Sequence, residues 1–182
     1  MNRMTQMSCL WALLLLQLFI PLRLSAMPLL SDMYKHGEGE MSFLFWTLYK
    51  AELYSGQPDF DIKRYPQALK ITYLRDISQQ DLIEATQKQW RELGLNLPDE
   101  SQWLKDLASI WPDVNEGDVI TLIVDEQQVS HFYLSNDLTL PNNDSVKSLG
   151  RLENQAFGSS FLAIWLSKDT SRPDLRTQLI GY

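Results

Sequence analysis

The run Met41–Tyr54 constrains the fold most, because it is rich in aromatic and β-forming residues and carries no helical stripe of apolar positions. Read as one strand, its alternation puts Met41, Phe43, Phe45, Thr47, Tyr49, Ala51 and Leu53 on one face. Ser42, Leu44, Trp46, Leu48, Lys50 and Glu52 take the other. The first face is almost wholly apolar and the second turns polar towards its end, the pattern of a sheet covered on one side. Gly56-Gln57-Pro58 ends the segment. A second strand, Gln67–Arg75, sets Leu69, Ile71, Tyr73 and Arg75 against Lys70, Thr72 and Leu74.

Helical periods follow. Ser78 opens a helix with Asp81 at the capping-box position, Leu82, Ile83, Thr86, Trp90 and Leu93 form its inner stripe, and Gly94 stops it. A second helix spans about Asp99–Trp111, with Trp103, Leu104, Leu107 and Ile110 at helical spacing and Pro112 beyond. Asn115-Glu116-Gly117-Asp118 turns into a strand Val119–Val124, and Gln127-Gln128 turns into Val129–Leu134, a hairpin. Asn142-Asn143-Asp144 reads as a loop, Phe157–Ser167 as an apolar helix, and Ser171 as the cap of a last helix containing Pro173, Leu175 and Leu179. Helices do not alternate regularly with strands, so the pattern predicts an α+β fold with an antiparallel sheet packed against helices.

The N-terminal stretch Met1–Ala26 differs from the rest. Arg3 gives a positive start, Leu10–Leu22 is almost unbroken apolar sequence, and Leu24-Ser25-Ala26 offers a cleavage site, so residues 1–26 read as a secretion signal and residues 27–182 as one domain. The rival reading keeps the run as an N-terminal membrane anchor, for which its apolar stretch is short. Cleavage takes Arg3, Arg23 and the single cysteine, Cys9, and moves the net charge of −7 to −9. An acidic chain of this kind does not suit nucleic acid, which rewards basic patches. Without cysteine it has no thiol catalysis, disulfide or thiolate metal site.

Other chemistry is sparse. His36 and His131 are the only histidines, far apart and without a spaced carboxylate cluster, so no metal or cofactor is expected. His131 reads as a sheet-surface residue. Gly158-Ser159-Ser160 lacks the second glycine of a nucleophile elbow, and its serines read as small residues that permit close helix packing. Gly37-Glu38-Gly39 lacks the third glycine of a dinucleotide fingerprint and precedes a strand, so it reads as a flexible lead-in. Arg75 is the leading ligand candidate: a guanidinium at the rim of an apolar face can hold a carboxylate or phenolate through paired hydrogen bonds, with Tyr49 and Tyr73 adding hydroxyl donors. The alternative for Arg75 is an ion pair with Asp76 or another acid. Trp46, Trp90, Trp103, Trp111 and Trp165 read as core rather than as a ligand platform.

Taken together, several segments resemble the chalcone isomerase-like family, in particular its secreted bacterial branch. They are Phe45-Trp46 with Tyr49 and Leu53-Tyr54, then Tyr73-Leu74-Arg75-Asp76-Ile77, then Trp111-Pro112 with Gly117-Asp118. The run from Phe157-Gly158 through Phe161–Ser167 to Pro173, Leu175-Arg176 and Leu179 is the most distinctive. The resemblance spans about Gly37–Ile180 and implies an open-faced β-sandwich, a large antiparallel sheet with helices on one side. Plant members cyclise chalcones, and related plant proteins bind fatty acids through an arginine and a tyrosine. Tyr49 falls where the enzymes carry threonine and the fatty-acid binders tyrosine. The family's strand arginine would lie near Gly37–Glu40, where this chain has none, and its helix begins Ser78-Gln79-Gln80-Asp81 without the enzymes' tyrosine and asparagine. The expectation is a periplasmic, non-catalytic protein that needs no cofactor and holds a small amphiphile such as a fatty acid between sheet and helices. The alternatives are an intramolecular lyase acting on a chalcone-like substrate and a structural protein whose interior is filled by side chains.

Overall fold

A computed structural model describes residues 30–135 and 146–181. The expected signal segment and the Asn142–Asp144 loop lie outside them. A 3-10 turn, Leu30–Asp32, leads into β1 (Tyr34–Phe43), β2 (Trp46–Ser55) and β3 (Gln67–Tyr73). Two helices follow, α1 (Gln79–Glu92) and α2 (Glu100–Ile110), before β4 (Val119–Val124), β5 (Ser130–Ser135) and β6 (Lys147–Leu152). The chain closes with α3 (Gln155–Leu166) and α4 (Pro173–Ile180). The strands form one sheet in sequence order, every neighbour antiparallel. All four helices contribute side chains to a core shared with one face of that sheet. This is the α+β, open-faced architecture expected from the sequence.

The expected strand Met41–Tyr54 is in fact the end of β1, a two-residue turn at Leu44-Phe45, and β2. Alternation runs through the turn because no glycine, asparagine or proline marks it. Leu44 takes the positive φ, +55°, that a tight hairpin requires and that glycine usually supplies. From Tyr49 onward the expected inner face holds, with Tyr49, Ala51 and Leu53 turned to the helices. The second strand stops at Tyr73, two residues short of Arg75. There Tyr73 N–H donates to Asp118 O at 2.8 Å and Asp76 accepts from Glu116 N–H at 2.8 Å, which turns the chain towards α1. The sequence reading misses β6 altogether. Lys147-Ser148-Leu149-Gly150-Arg151-Leu152 has weak β-propensity, and it is a strand only because it pairs with β5 along the sheet edge.

Helix ends follow local chemistry more closely. Ser78 Oγ accepts from Asp81 N–H at 3.1 Å and caps α1 as expected. At α4 the expected cap is displaced. Arg172 holds the cap position, Pro173 begins the helix, and Ser171 Oγ instead donates to Gln89 Oε1 at 2.8 Å.

Between the layers, Phe157 and Phe161 of α3 and Trp111, just past α2, meet Phe132 of β5, and Trp90 of α1 and Trp103 of α2 pack on Phe157. Trp103 and Phe157 lie 5.5 Å apart, Trp111 and Phe132 5.6 Å, Trp111 and Phe161 5.7 Å, and Phe132 and Phe157 6.1 Å, mostly edge to face. Trp90, fully buried, adds a hydrogen bond from Nε1 to Ser160 O at 3.0 Å. Glycines set how near the helices come. A Cβ on Gly158 would meet Ser130 Oγ and Val124 Cγ1, each at 2.8 Å, so the close approach of α3 depends on this glycine. The neighbouring serines do not permit it: Ser159 and Ser160 bond back to Ala156 O along their own helix. Gly37 and Gly39 lie inside β1 rather than in a flexible lead-in, because α4 crosses directly over them.

The face of the sheet away from the helices carries a charged group. Glu52, 9% exposed, receives Tyr54 Oη at 2.7 Å, Lys35 Nζ at 2.9 Å and Lys70 Nζ at 3.0 Å. Burial would raise its carboxyl, but the hydrogen bonds from Tyr54, Lys35 and Lys70 and the Lys70 charge outweigh it and hold the group at about 2. His131 lies on the same sheet face, its Nε2 2.9 Å from Asp125 Oδ2.

Two stability experiments follow. Gly37→Ala places a Cβ 2.1 Å from Gln178 O and 2.6 Å from Leu179 O, both backbone, so α4 must move. Thermal melts should show a loss of about 1–3 kcal/mol. The Glu52 carboxyl is depressed in the folded state from an ordinary 4.5, so its contribution is present above that value and fades as pH falls towards about 2. Denaturant unfolding between pH 7 and 3 should lose stability along this limb, up to about 3 kcal/mol when complete. Glu52→Gln should start less stable and flatten the limb.

Candidate ligand-binding site

Where the aromatic packing ends, the layers stand apart and enclose a cavity of about 370 Å³. Its floor is the inner face of the sheet, with Tyr49 from β2, Leu69, Ile71 and Tyr73 from β3, and Ile120 and Leu122 from β4. Phe161, Ile164 and Trp165 of α3, Leu82 and Thr86 of α1 and Leu175 of α4 close the roof. Leu48, Asp76, Asp81, Ala85 and Gln89 are the more exposed lining residues and mark the mouth, between α1 and the start of β2. The volume and the predominantly apolar wall suit a small ligand.

A few polar groups interrupt that wall. Tyr49 Oη accepts from Trp165 Nε1 at 3.0 Å, which leaves its own O–H to donate elsewhere. Its ring meets Tyr73 edge on at 6.4 Å, across a directly paired position of β2 and β3. Burial pushes the Tyr49 hydroxyl up to about 12, against the Trp165 hydrogen bond and the positive charge of Arg172. Burial also raises the Tyr73 hydroxyl. Near neutral pH both are neutral donors.

Arg172 is the cation of this cavity. The connection between α3 and α4 presents it: Thr170 Oγ1 donates to Ile164 O at 2.6 Å and accepts from Arg172 N–H at 3.3 Å. Its Nε is buried with no hydrogen-bond partner, and it forms no ion pair among the described residues. Trp111 Nε1, also on the wall, is a second buried donor without an acceptor. Buried donors normally find acceptors, because desolvating an unpaired one costs about 1–3 kcal/mol. Two residues of one apolar cavity therefore carry unpartnered donors, with Tyr49 beside Arg172, and such donors can serve acceptor groups of a ligand. The acids at the mouth are already engaged, Asp76 by Glu116 N–H and Asp81 by Ser78 Oγ at 2.5 Å.

The three residues singled out from the sequence divide. Tyr49 and Tyr73 stand on the cavity wall, while Arg75 lies outside it, in the bend after β3, with its guanidinium 4.0 Å from the centre of the Trp46 ring. Because β3 ends at Tyr73, Arg75 does not share the inner face, and it makes no ion pair with Asp76 among the described residues. Sequence reasoning missed Arg172 and the Trp111 donor. Arg172 sits between Ser171 and the helix-starting Pro173, and nothing local shows that it turns inward.

No family model matches the chain. An uncharacterized protein of Haemophilus influenzae is 23% identical over 145 residues, which make up 80% of this chain and 66% of that protein, so the chain spans just under two thirds of its relative's length. The crystal structure of a fatty-acid binding protein from Arabidopsis thaliana superposes with a TM-score of 0.62 at 10% identity, covering 82% of this chain and 87% of that one. At that identity the likeness is one of architecture: the six-stranded antiparallel sheet with its helical layer is the chalcone isomerase-like fold.

Proposed function

We propose that this chain is an exported, non-catalytic binding protein that carries a small amphiphile with an acidic head, such as a fatty acid, between its sheet and its helices. The observation that carries the reading is the pair of unsatisfied buried donors, Arg172 Nε and Trp111 Nε1, on an otherwise apolar cavity. A carboxylate beside Tyr49 supplies the acceptor that Arg172 lacks, and an alkyl tail matches the floor of Leu69, Ile71 and Leu122. A solved structure of the same fold belongs to a protein described as fatty-acid binding, which supports the ligand class. Holding is favoured over turnover. The cavity offers donors to an anion that is already formed, and its tyrosines stay protonated near neutral pH. Export rests on the signal-like features of Met1–Ala26.

Titration of the purified protein with a fluorescent fatty acid tests the site. Arg172→Ala should weaken binding by about 1.5–3 kcal/mol, the worth of a hydrogen bond to a charged group. Its melting temperature should hold or rise, since a half-buried unpaired cation is removed. Arg172→Lys should also lose affinity, because a point charge does not reproduce the guanidinium contact. Arg75→Ala should bind like the wild type. Unchanged affinity in Arg172→Ala would sink the assignment, and loss in Arg75→Ala alone would move the site outside the cavity. For export, N-terminal sequencing of periplasmic protein should read from at or near Met27; an intact Met1 in the membrane fraction would favour the anchor.

A further inference from the structure

We infer that the tip of the β1–β2 hairpin is a membrane-docking element that enters the interface of a phospholipid bilayer, with Arg75 meeting a lipid phosphate. At this turn Phe43 is 56% exposed, Leu44 77%, Phe45 96% and Trp46 57%. The other large apolar side chains standing exposed among the described residues are Tyr34 and Ile62, each alone. From Met41 to Tyr49 the chain carries no charge at all, in a protein whose net charge is −7. Four adjacent apolar side chains at a protruding turn are an interaction surface rather than scattered surface residues.

Turn chemistry argues that the apolar tip is retained for a purpose. The first turn position has φ +55°, where glycine or asparagine would relieve strain and improve solubility together. The chain keeps leucine there, and follows it with phenylalanine. Neither side chain stabilises the core.

The form and charge of the tip select a lipid surface as its occupant. A stable protein interface needs about 800 Å² on each side, shaped to a partner, which a narrow two-residue turn does not offer. A bilayer needs no shape match, and it rewards this residue set. Phenylalanine and leucine enter the acyl boundary, while tryptophan and arginine prefer the headgroup level. The Arg75 guanidinium lies over Trp46 at 4.0 Å, and it makes no ion pair among the described residues. It is therefore a cation beside the apolar tip, open to a phosphate oxygen. Just behind the same tip, Met41 and Leu48 line the cavity, so docking brings the mouth towards the lipid. That last link rests on the amphiphile-carrier reading; the docking itself does not.

The test uses full-length protein, so that any attachment through Met1–Ala26 is common to every variant. Vesicles of phosphatidylcholine, with and without brominated acyl chains, are titrated in while tryptophan emission is followed. The Trp46 signal is taken as the difference between the wild type and Trp46→Phe. The inference expects that signal to shift to the blue and to be quenched by the brominated lipid. The double variant Leu44→Asp with Phe45→Asp should need about tenfold more lipid, or show no Trp46 signal change. Arg75→Ala should fall between the two. Both aspartates replace exposed side chains, so circular dichroism and fatty-acid affinity in vesicle-free buffer should match the wild type; this separates failure of docking from failure of the cavity. A Trp46 signal indifferent to vesicles, or equal lipid dependence in the double variant, overturns the inference. A wild-type dimer that the double variant converts to monomer, without lipid binding, also overturns it and assigns the tip to a second copy.

Discussion

The separation between sheet and helices is the constraint from which the rest follows. At one end of the sheet it is set by aromatic rings, where Trp103, Phe157, Phe132, Phe161 and Trp111 interlock at centroid distances of 5.5–6.1 Å. At two other places it is set by the absence of a side chain, with Gly158 under α3 and Gly37 and Gly39 under α4. The helical layer is pinned at those points, and close packing fills the interior around them. Between the pinned regions the layers are too far apart to interdigitate, and the cavity is the space that remains.

The two faces of the sheet solve different problems. Towards the helices the strands present apolar side chains; of the four buried side-chain polar atoms without partners among the described residues, Gln67 Oε1 and Ser130 Oγ lie away from the cavity, while Arg172 Nε and Trp111 Nε1 belong to residues that line it. On the opposite face the charged groups are satisfied by one another: Glu52 receives Tyr54, Lys35 and Lys70 together. A low-dielectric setting strengthens such a network when complete and penalises it when broken. Satisfied charge on the outer face reads as architecture. Arg172, by contrast, lines the cavity with a buried Nε that has no partner, and this separates it from the other described arginines.

Arg75 shows how a sequence motif and a spatial site can part. Its place after Tyr73 suggested a continued strand face, yet β3 ends with the turn that Asp76 and Asp118 stabilise, and the guanidinium comes to rest on Trp46. The same hairpin that carries Trp46 was read as uninterrupted strand, since its turn is built from leucine and phenylalanine. Both departures occur at one place, the exposed apolar tip. Local rules are broken there without any gain in core packing.

The sequence by itself determined the periodic parts of this protein. Alternation marked the inner faces of β2 and β3, helical spacing with Ser78 and Pro173 marked α1 and α4, and their irregular order specified a sheet with helices on one side. Such patterns are legible because backbone geometry repeats over two or about four residues, within reach of neighbours in the chain. Only the tertiary structure decided that Lys147–Leu152 pairs as a strand, that Gly37 and Gly39 exist to admit α4, and that Arg172 rather than Arg75 faces the cavity with Tyr49. Each of these depends on a surface brought from far along the chain. A glycine is silent until something packs on it, and an arginine in a connection takes its direction from the elements that dock around it.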